Sequence, residues 1–173
     1  MKREILTIRD IAGFCPEEAI WKMMADVSDF LLKENCGYQI SAETIVVAGN
    51  LFVVTGKKNQ TSIEESVWTL GAVAFYAATG HSIFGGHGYD YQQEHPNAPL
   101  PLLQKSFHAL TPVIHQCLCF ETSKRISMES LWHLANKGLA ACSKRQRVKV
   151  NPIKEPAIVN NRQEEKWPEE MKA

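Results

Sequence analysis

Neither charge is in excess in this sequence: Lys+Arg and Asp+Glu each number 19 among 173 residues. An electrostatic footprint for DNA, RNA or an anionic membrane needs a surplus of one sign, so none of these is the expected partner. Long hydrophobic runs are missing too. The longest near-apolar stretch, Val67 to Ala78, is broken by Thr69 and Tyr76 and is too short to cross a bilayer. Met1 to Ile5 lead into no apolar stretch with a small-residue cleavage site, so no signal peptide is expected and export is not. Cysteine is sparse and odd in number: Cys15, Cys36, Cys117, Cys119 and Cys142 are scattered and do not form a disulfide framework. A soluble, cytoplasmic protein with reduced thiols is the simplest reading.

With 45% hydrophobic and 22% charged residues, the chain has the composition of a globular protein that can bury a core. Its length suits one sizeable domain with an appendage. Pro16-Glu17-Glu18 places proline and two carboxylates where a helix start favours them. The apolar residues Ile20, Met23, Met24, Val27, Phe30 and Leu31 follow at helical spacing. Asn35 to Gly37 should end that helix, because asparagine and glycine tolerate the left-handed conformation of a cap.

Glu43 to Val47 and Leu51 to Thr55 are β-branched and apolar, and they flank Ala48-Gly49-Asn50, which predicts a hairpin of two short strands. Ser62-Ile63-Glu64-Glu65 has the spacing of a capping box. The helix it opens is apolar nearly all round from Val67 to Ala78, so it should lie at the centre of other elements and stop at Gly80. His81 to Pro101, rich in Gly, Pro, His and Asn, reads as a long loop. Leu102 to Leu110 reads as a helix. Thr111-Pro112 caps another through Val113, Ile114, Cys117 and Leu118, and a third begins after Ser127 with Met128, Leu131, Trp132, Ala135, Leu139 and Cys142. The expected fold is mainly α with one short β-hairpin over residues 1–143, followed by a polar tail, 144–173, too poor in apolar residues for its own core.

This order of elements resembles the C-terminal lobe of protein kinases, and particular residues carry the match. Ser66-Val67-Trp68-Thr69-Leu70-Gly71 stands where kinases have Asp-Val-Trp-Ser-Leu-Gly, and Ala77-Ala78-Thr79-Gly80 fits the Leu-Thr-Gly that ends their central helix. Cys117-Leu118 and Ser123-Lys124-Arg125-Ile126-Ser127 fit Cys-Leu, then Asp-Pro and Arg-Pro-Ser/Thr. Ile40 to Val46 and Gly49 to Gly56 look like eroded forms of the catalytic loop and of the strand leading to Asp-Phe-Gly. The resemblance covers residues 5 to 142.

What the resemblance implies is a scaffold whose chemistry has been removed. Phosphoryl transfer needs oxygen ligands for magnesium and an aspartate to accept the substrate proton. The alignment puts Gln39 at the catalytic aspartate, Thr44 at the magnesium-binding asparagine, Thr55 at the magnesium aspartate and Ser66 at the aspartate that braces the catalytic loop. Between Thr55 and Ser66 there is no room for an activation segment with Ala-Pro-Glu. Too little chain precedes the first long helix for a five-stranded nucleotide lobe. A C-lobe on its own is similar to the KIND domain, a kinase-derived module without catalysis. Leu6-Thr7-Ile8-Arg9-Asp10-Ile11 and Pro16-Glu17-Glu18-Ala19-Ile20-Trp21 resemble its opening. That likeness implies a protein or peptide partner, with no metal and no cofactor. The partner surface is expected near the hairpin and the start of the long helix, at Phe30, Tyr38, Val47 and Phe52. A second copy of the chain, or its own tail through Val148, Val150, Ile153, Ile158, Val159 and Trp167, are other occupants.

Trp68, Gly71 and Trp132, like Trp21, are expected to pack the core. Arg125 matches a kinase arginine that pairs with the glutamate of Ala-Pro-Glu, and here its partner is expected to be Glu64, Glu65 or solvent. His81, His87, His95, His108, His115, Cys117 and Cys119 invite a zinc reading, but two cysteines two apart on a helix point to different faces. Gly85-Gly86-His87-Gly88 lacks the strand-to-helix setting of a phosphate loop and reads as a turn. Cys15 beside a helix start is either an activated thiol or a small cap residue. The basic run Lys144, Arg145, Arg147 and Lys149 reads as a solvated helix end. The competing function is a split phosphotransferase, completed by a nucleotide lobe supplied in trans, with Glu43, Asp90 or Glu94 replacing the lost carboxylates.

Overall fold

The computed structural model describes residues 4–86 and 88–164, without the side chains of residues 106 and 147–164. In chain order the elements are β1 (Leu6–Thr7), α1 (Ile8–Ile11), α2 (Glu17–Glu34), β2 (Ile45–Ala48), β3 (Leu51–Val54), α3 (Ile63–Thr79), α4 (Gly88–Glu94), α5 (Leu110–Cys117) and α6 (Met128–Glu164), with short 3-10 turns at Ile83–Gly86, Lys105–Phe107 and Thr122–Lys124. The fold is mainly helical with a small antiparallel sheet of order β1-β2-β3. The chain divides into two compact units, Met1–Leu139 and Ala140–Ala173.

The helix ends follow local chemistry. Pro16 sits just before α2 in extended conformation, Glu17 and Glu18 fill its first turn, and Asn35 closes it in the left-handed region at φ 53°. Ser62 Oγ accepts from the Glu65 amide at 3.2 Å to open α3, and Gly80 ends it at φ 75°. Ser127 Oγ accepts from the Ser130 amide at 3.1 Å at the head of α6. Gly49 supplies the positive φ, 64°, of the two-residue turn between β2 and β3.

The core of the first unit is built on α3. Leu70, Val67, Ala74 and Ala77 are fully buried, with Ile20, Met23, Met24, Val27 and Leu31 of α2, Ile114 of α5 and Leu131 of α6. A Cβ on Gly71 would come 2.5 Å from Cys117 Cβ, so glycine is what lets α3 and α5 approach this closely. Gly138 does the same for α6 against the Trp21 indole.

Five expectations need correction. A third strand, β1, pairs with β2, Leu6 opposite Val47 and Thr7 opposite Val46; two residues are too few to show a period. His81 to Pro101 contains α4, held by the buried Gln92. Leu102 to Leu110 forms no α-helix beyond its last residue: Leu102 is exposed after Pro99 and Pro101, and only a 3-10 turn at Lys105–Phe107 follows. α5 starts at Leu110, so Thr111 lies inside the first turn and donates to Phe107 O at 3.3 Å instead of capping. The backbone of α6 also runs on beyond Ser143, where Lys144, Arg145, Gln146 and Arg147 are all good helix formers. The strap residues Val148, Val150, Ile153, Ile158 and Val159 lie outside the described side chains, and Trp167 outside the described residues.

Candidate functional site

Three of the four positions aligned with kinase chemistry come together. Thr44 is the hub: its hydroxyl donates to Gln39 O at 2.9 Å and accepts from the Ser41 amide at 2.8 Å. Its carbonyl accepts from both the amide and the hydroxyl of Thr55, at 2.7 and 3.0 Å. The Gln39 amide donates to Lys57 O at 2.8 Å, and Gly56 lies so close to Gln39 O that any side chain there would collide. The cluster is therefore neutral and its threonine hydroxyls are already bonded within it. Gln39 and Thr55 are exposed. Ser66 is not part of this cluster: it is buried on α3 and donates to Ser62 O at 3.3 Å, one turn back in its own helix.

Beside this cluster lies a groove of about 450 Å³. One wall is the segment Ile40 to Glu43, with Arg9. The other is α3 through Trp68, Thr69, Ala72, Val73 and Tyr76, and the end is closed by Ser82, Ile83, Gly86 and Gly88. α3 explains why this face is open. From Ser66 to Ala78 every residue is buried except Thr69, Ala72 and Tyr76, which recur at intervals of three and four and so form one stripe. The Tyr76 hydroxyl has no hydrogen-bond partner among the described residues. At the rim, Arg9 Nη1 lies 3.3 Å from Glu43 Oε1 with both side chains more than half exposed, a pair of little net worth that a ligand can open.

The expected partner surface is differently arranged. Val47 and Phe52 are cross-strand partners and share one sheet face with Ile45 and Val54, and all four are buried or half-buried. The exposed apolar residues are on the opposite face: Leu51 is 50% exposed and Val53 44%. Phe30 and Tyr38 meet edge to face with centroids 4.8 Å apart, and the Tyr38 hydroxyl donates to Glu34 at 3.3 Å. Both sheet edges are closed by carboxylates. Asp26 Oδ2 accepts from the Phe52 amide at 3.0 Å, and Asp10 Oδ2 from the Thr7 amide at 2.8 Å, which holds the Asp10 carboxyl below its usual range. Strand addition at either edge would have to displace an aspartate.

Trp68 is buried and its indole N–H donates to Gln92 Oε1 at 2.8 Å, while Gln92 Nε2 donates to Leu118 O at 2.6 Å. This bridge from α3 through α4 to the end of α5 has no signature in the sequence, because its middle residue sits in a stretch whose composition suggests a loop. Trp132 is half-buried, edge to face with His133. Arg125 binds no carboxylate among the described residues. Its guanidinium donates to three backbone carbonyls, Cys119 O and Glu64 O at 2.9 Å and Phe120 O at 3.2 Å. The partner on α3 is thus the Glu64 backbone and not its side chain.

No group of three or more His, Cys, Asp or Glu side chains is placed to hold a metal among the described residues. His115 bonds Pro101 O at 3.0 Å, His95 packs on Tyr91, and His87 lies outside the described residues. Of the carboxylates that could replace the lost ones, Glu43 is paired with Arg9, and Asp90 and Glu94 are on α4. Burial pushes the Cys15 thiol up to about 11 and that of Cys117 up to about 12, the opposite of activation. No described helix is long and apolar enough to cross a membrane. Comparison with protein-family models and with curated proteins finds no match to this chain.

Proposed function

We propose that this chain is a non-catalytic, kinase C-lobe-like module of the KIND type that binds an extended segment of a partner protein in the groove beside α3. The observation that carries this reading is the stripe Thr69, Ala72 and Tyr76, the open side of a helix otherwise buried from Ser66 to Ala78. A central helix exposes such a stripe at a cost in burial, and a groove that mixes apolar side chains such as Ile40, Val73 and Ile83 with hydroxyls and a charged rim can take up a peptide. The adjoining cluster supports the absence of phosphoryl transfer: Gln39, Thr44 and Thr55 offer amide and hydroxyl groups where that chemistry needs carboxylates. Closure of both sheet edges by Asp10 and Asp26 favours the groove over strand addition.

The test is selection from displayed random peptides, followed by binding to an Ala72→Arg variant whose new side chain enters the groove. The reading predicts enriched peptides whose affinity falls at least about tenfold with Ala72→Arg at unchanged melting temperature. No enrichment, or equal binding by the variant, contradicts it.

A further inference from the structure

Among the described residues, Arg125 is the only charged side chain that is buried, at 8% exposed. A buried charge is normally paired with an opposite one. Here its three hydrogen-bond acceptors are neutral carbonyls, two of them just beyond the C-terminal end of α5, where partial negative charge gathers. A guanidinium has five N–H donors, and this count leaves two without an assigned acceptor.

Arg125 also lines a second pocket, of about 310 Å³, with Glu65, Trp68, Thr69 and Tyr89. Trp68 and Thr69 line the groove as well, so a segment lying along α3 passes both. The Trp68 indole N–H is turned away to Gln92, and the Thr69 hydroxyl donates to Glu65 O at 3.0 Å. Arg125 is therefore the charged donor left in the pocket, beside the Tyr89 hydroxyl. Trp68 and Tyr89, edge to face at 5.5 Å, give it aromatic walls.

We propose that the bound segment places an aspartate or glutamate side chain in this pocket, its carboxylate accepting from the two remaining Arg125 N–H groups. This rests on the peptide-binding reading and adds the chemistry of the partner: an acidic residue flanked by apolar ones. Glu65 opposes such a guest, yet it is exposed and acts through water, whereas the buried guanidinium is screened far less.

Glu65 makes the proposal testable without touching the core. The probe is the tightest displayed peptide, synthesised as selected and with each carboxylate replaced by its amide. The proposal predicts that selected peptides are enriched in Asp or Glu. One amide replacement should weaken binding about tenfold, and Glu65→Gln should tighten it about threefold. In unaltered protein the Arg125 Nε–H NMR signal should shift with the acidic peptide and not with its amide. Selected peptides that bind the groove but lack acidic residues, or that bind more weakly to Glu65→Gln, overturn the acidic guest and leave the groove standing. Failure to select any peptide overturns the groove reading, and this inference with it.

Discussion

α3 presents two surfaces that differ in kind. Toward α5 it carries Gly71 against Cys117, Leu70 and Ala74 without exposure, and Glu64 O bonded to the buried Arg125. Toward the segment Ile40 to Glu43 it carries Thr69, Ala72 and Tyr76, half-exposed, beside a cluster of neutral groups that bond one another. The first surface leaves no freedom in side-chain size. The second leaves space and a free hydroxyl. One helix is thus packed on one side and open on the other, and substitutions should separate the two.

The largest effect should come from Arg125→Met, which leaves three carbonyls without their charged donor; unfolding in urea should show a loss of about 3–4 kcal/mol. Next is Gly71→Val, where the added atoms run into Cys117. Overpacking there should cost about 3 kcal/mol, whereas Ala72→Val one residue away on the groove side should cost less than about 0.5 kcal/mol. Equal effects at 71 and 72 would remove the distinction. Asp26→Ala should cost about 1 kcal/mol, by freeing the Phe52 amide and the Lys22 ammonium, and hydrogen exchange at Phe52 should accelerate while α3 amides stay protected.

The alkaline limb of stability sharpens the contrast from the packed side. The Cys117 thiol is raised from about 9 to about 12 by burial, so the folded state holds its proton where the unfolded chain releases it. Stability is fully present below pH 9 and falls as pH rises toward 12, by at most about 1.4 kcal/mol per pH unit from this group. Cys117→Ala should flatten that slope in denaturation curves recorded between pH 8 and about 10.

Much of the scaffold was legible because it depends on local chemistry. Asn35 and Gly80 end their helices in the left-handed region, Ser62 and Ser127 cap theirs, and the all-apolar stretch from Val67 to Ala78 lies at the centre. What escaped is set by distant partners. α4 forms in a Gly- and Pro-rich stretch where Gln92 joins Trp68 to Leu118, 24 and 26 residues away in opposite directions. β1 needs β2 to exist at all. Leu102 to Leu110 has apolar residues, but among those whose side chains are described only Leu110 is buried. The hairpin was read, but the choice of buried face was not: alternation marks two faces without saying which meets α2, so Val47 and Phe52 were expected at a surface where Leu51 and Val53 are more exposed. The groove was invisible for a related reason, since Thr69 and Tyr76 read as interruptions of an apolar run until helical phase aligns them with Ala72.

The most direct measurement is the melting temperature of the chain titrated with Mg-ATP. A ligand at a hundred times its Kd raises stability by about 2.7 kcal/mol, an easily measured shift. With Gln39, Thr44 and Thr55 neutral and both threonine hydroxyls bonded within the cluster, the expected result is no shift at any concentration. A saturable, magnesium-dependent rise would show that nucleotide is held without those carboxylates, and would contradict the account at its centre.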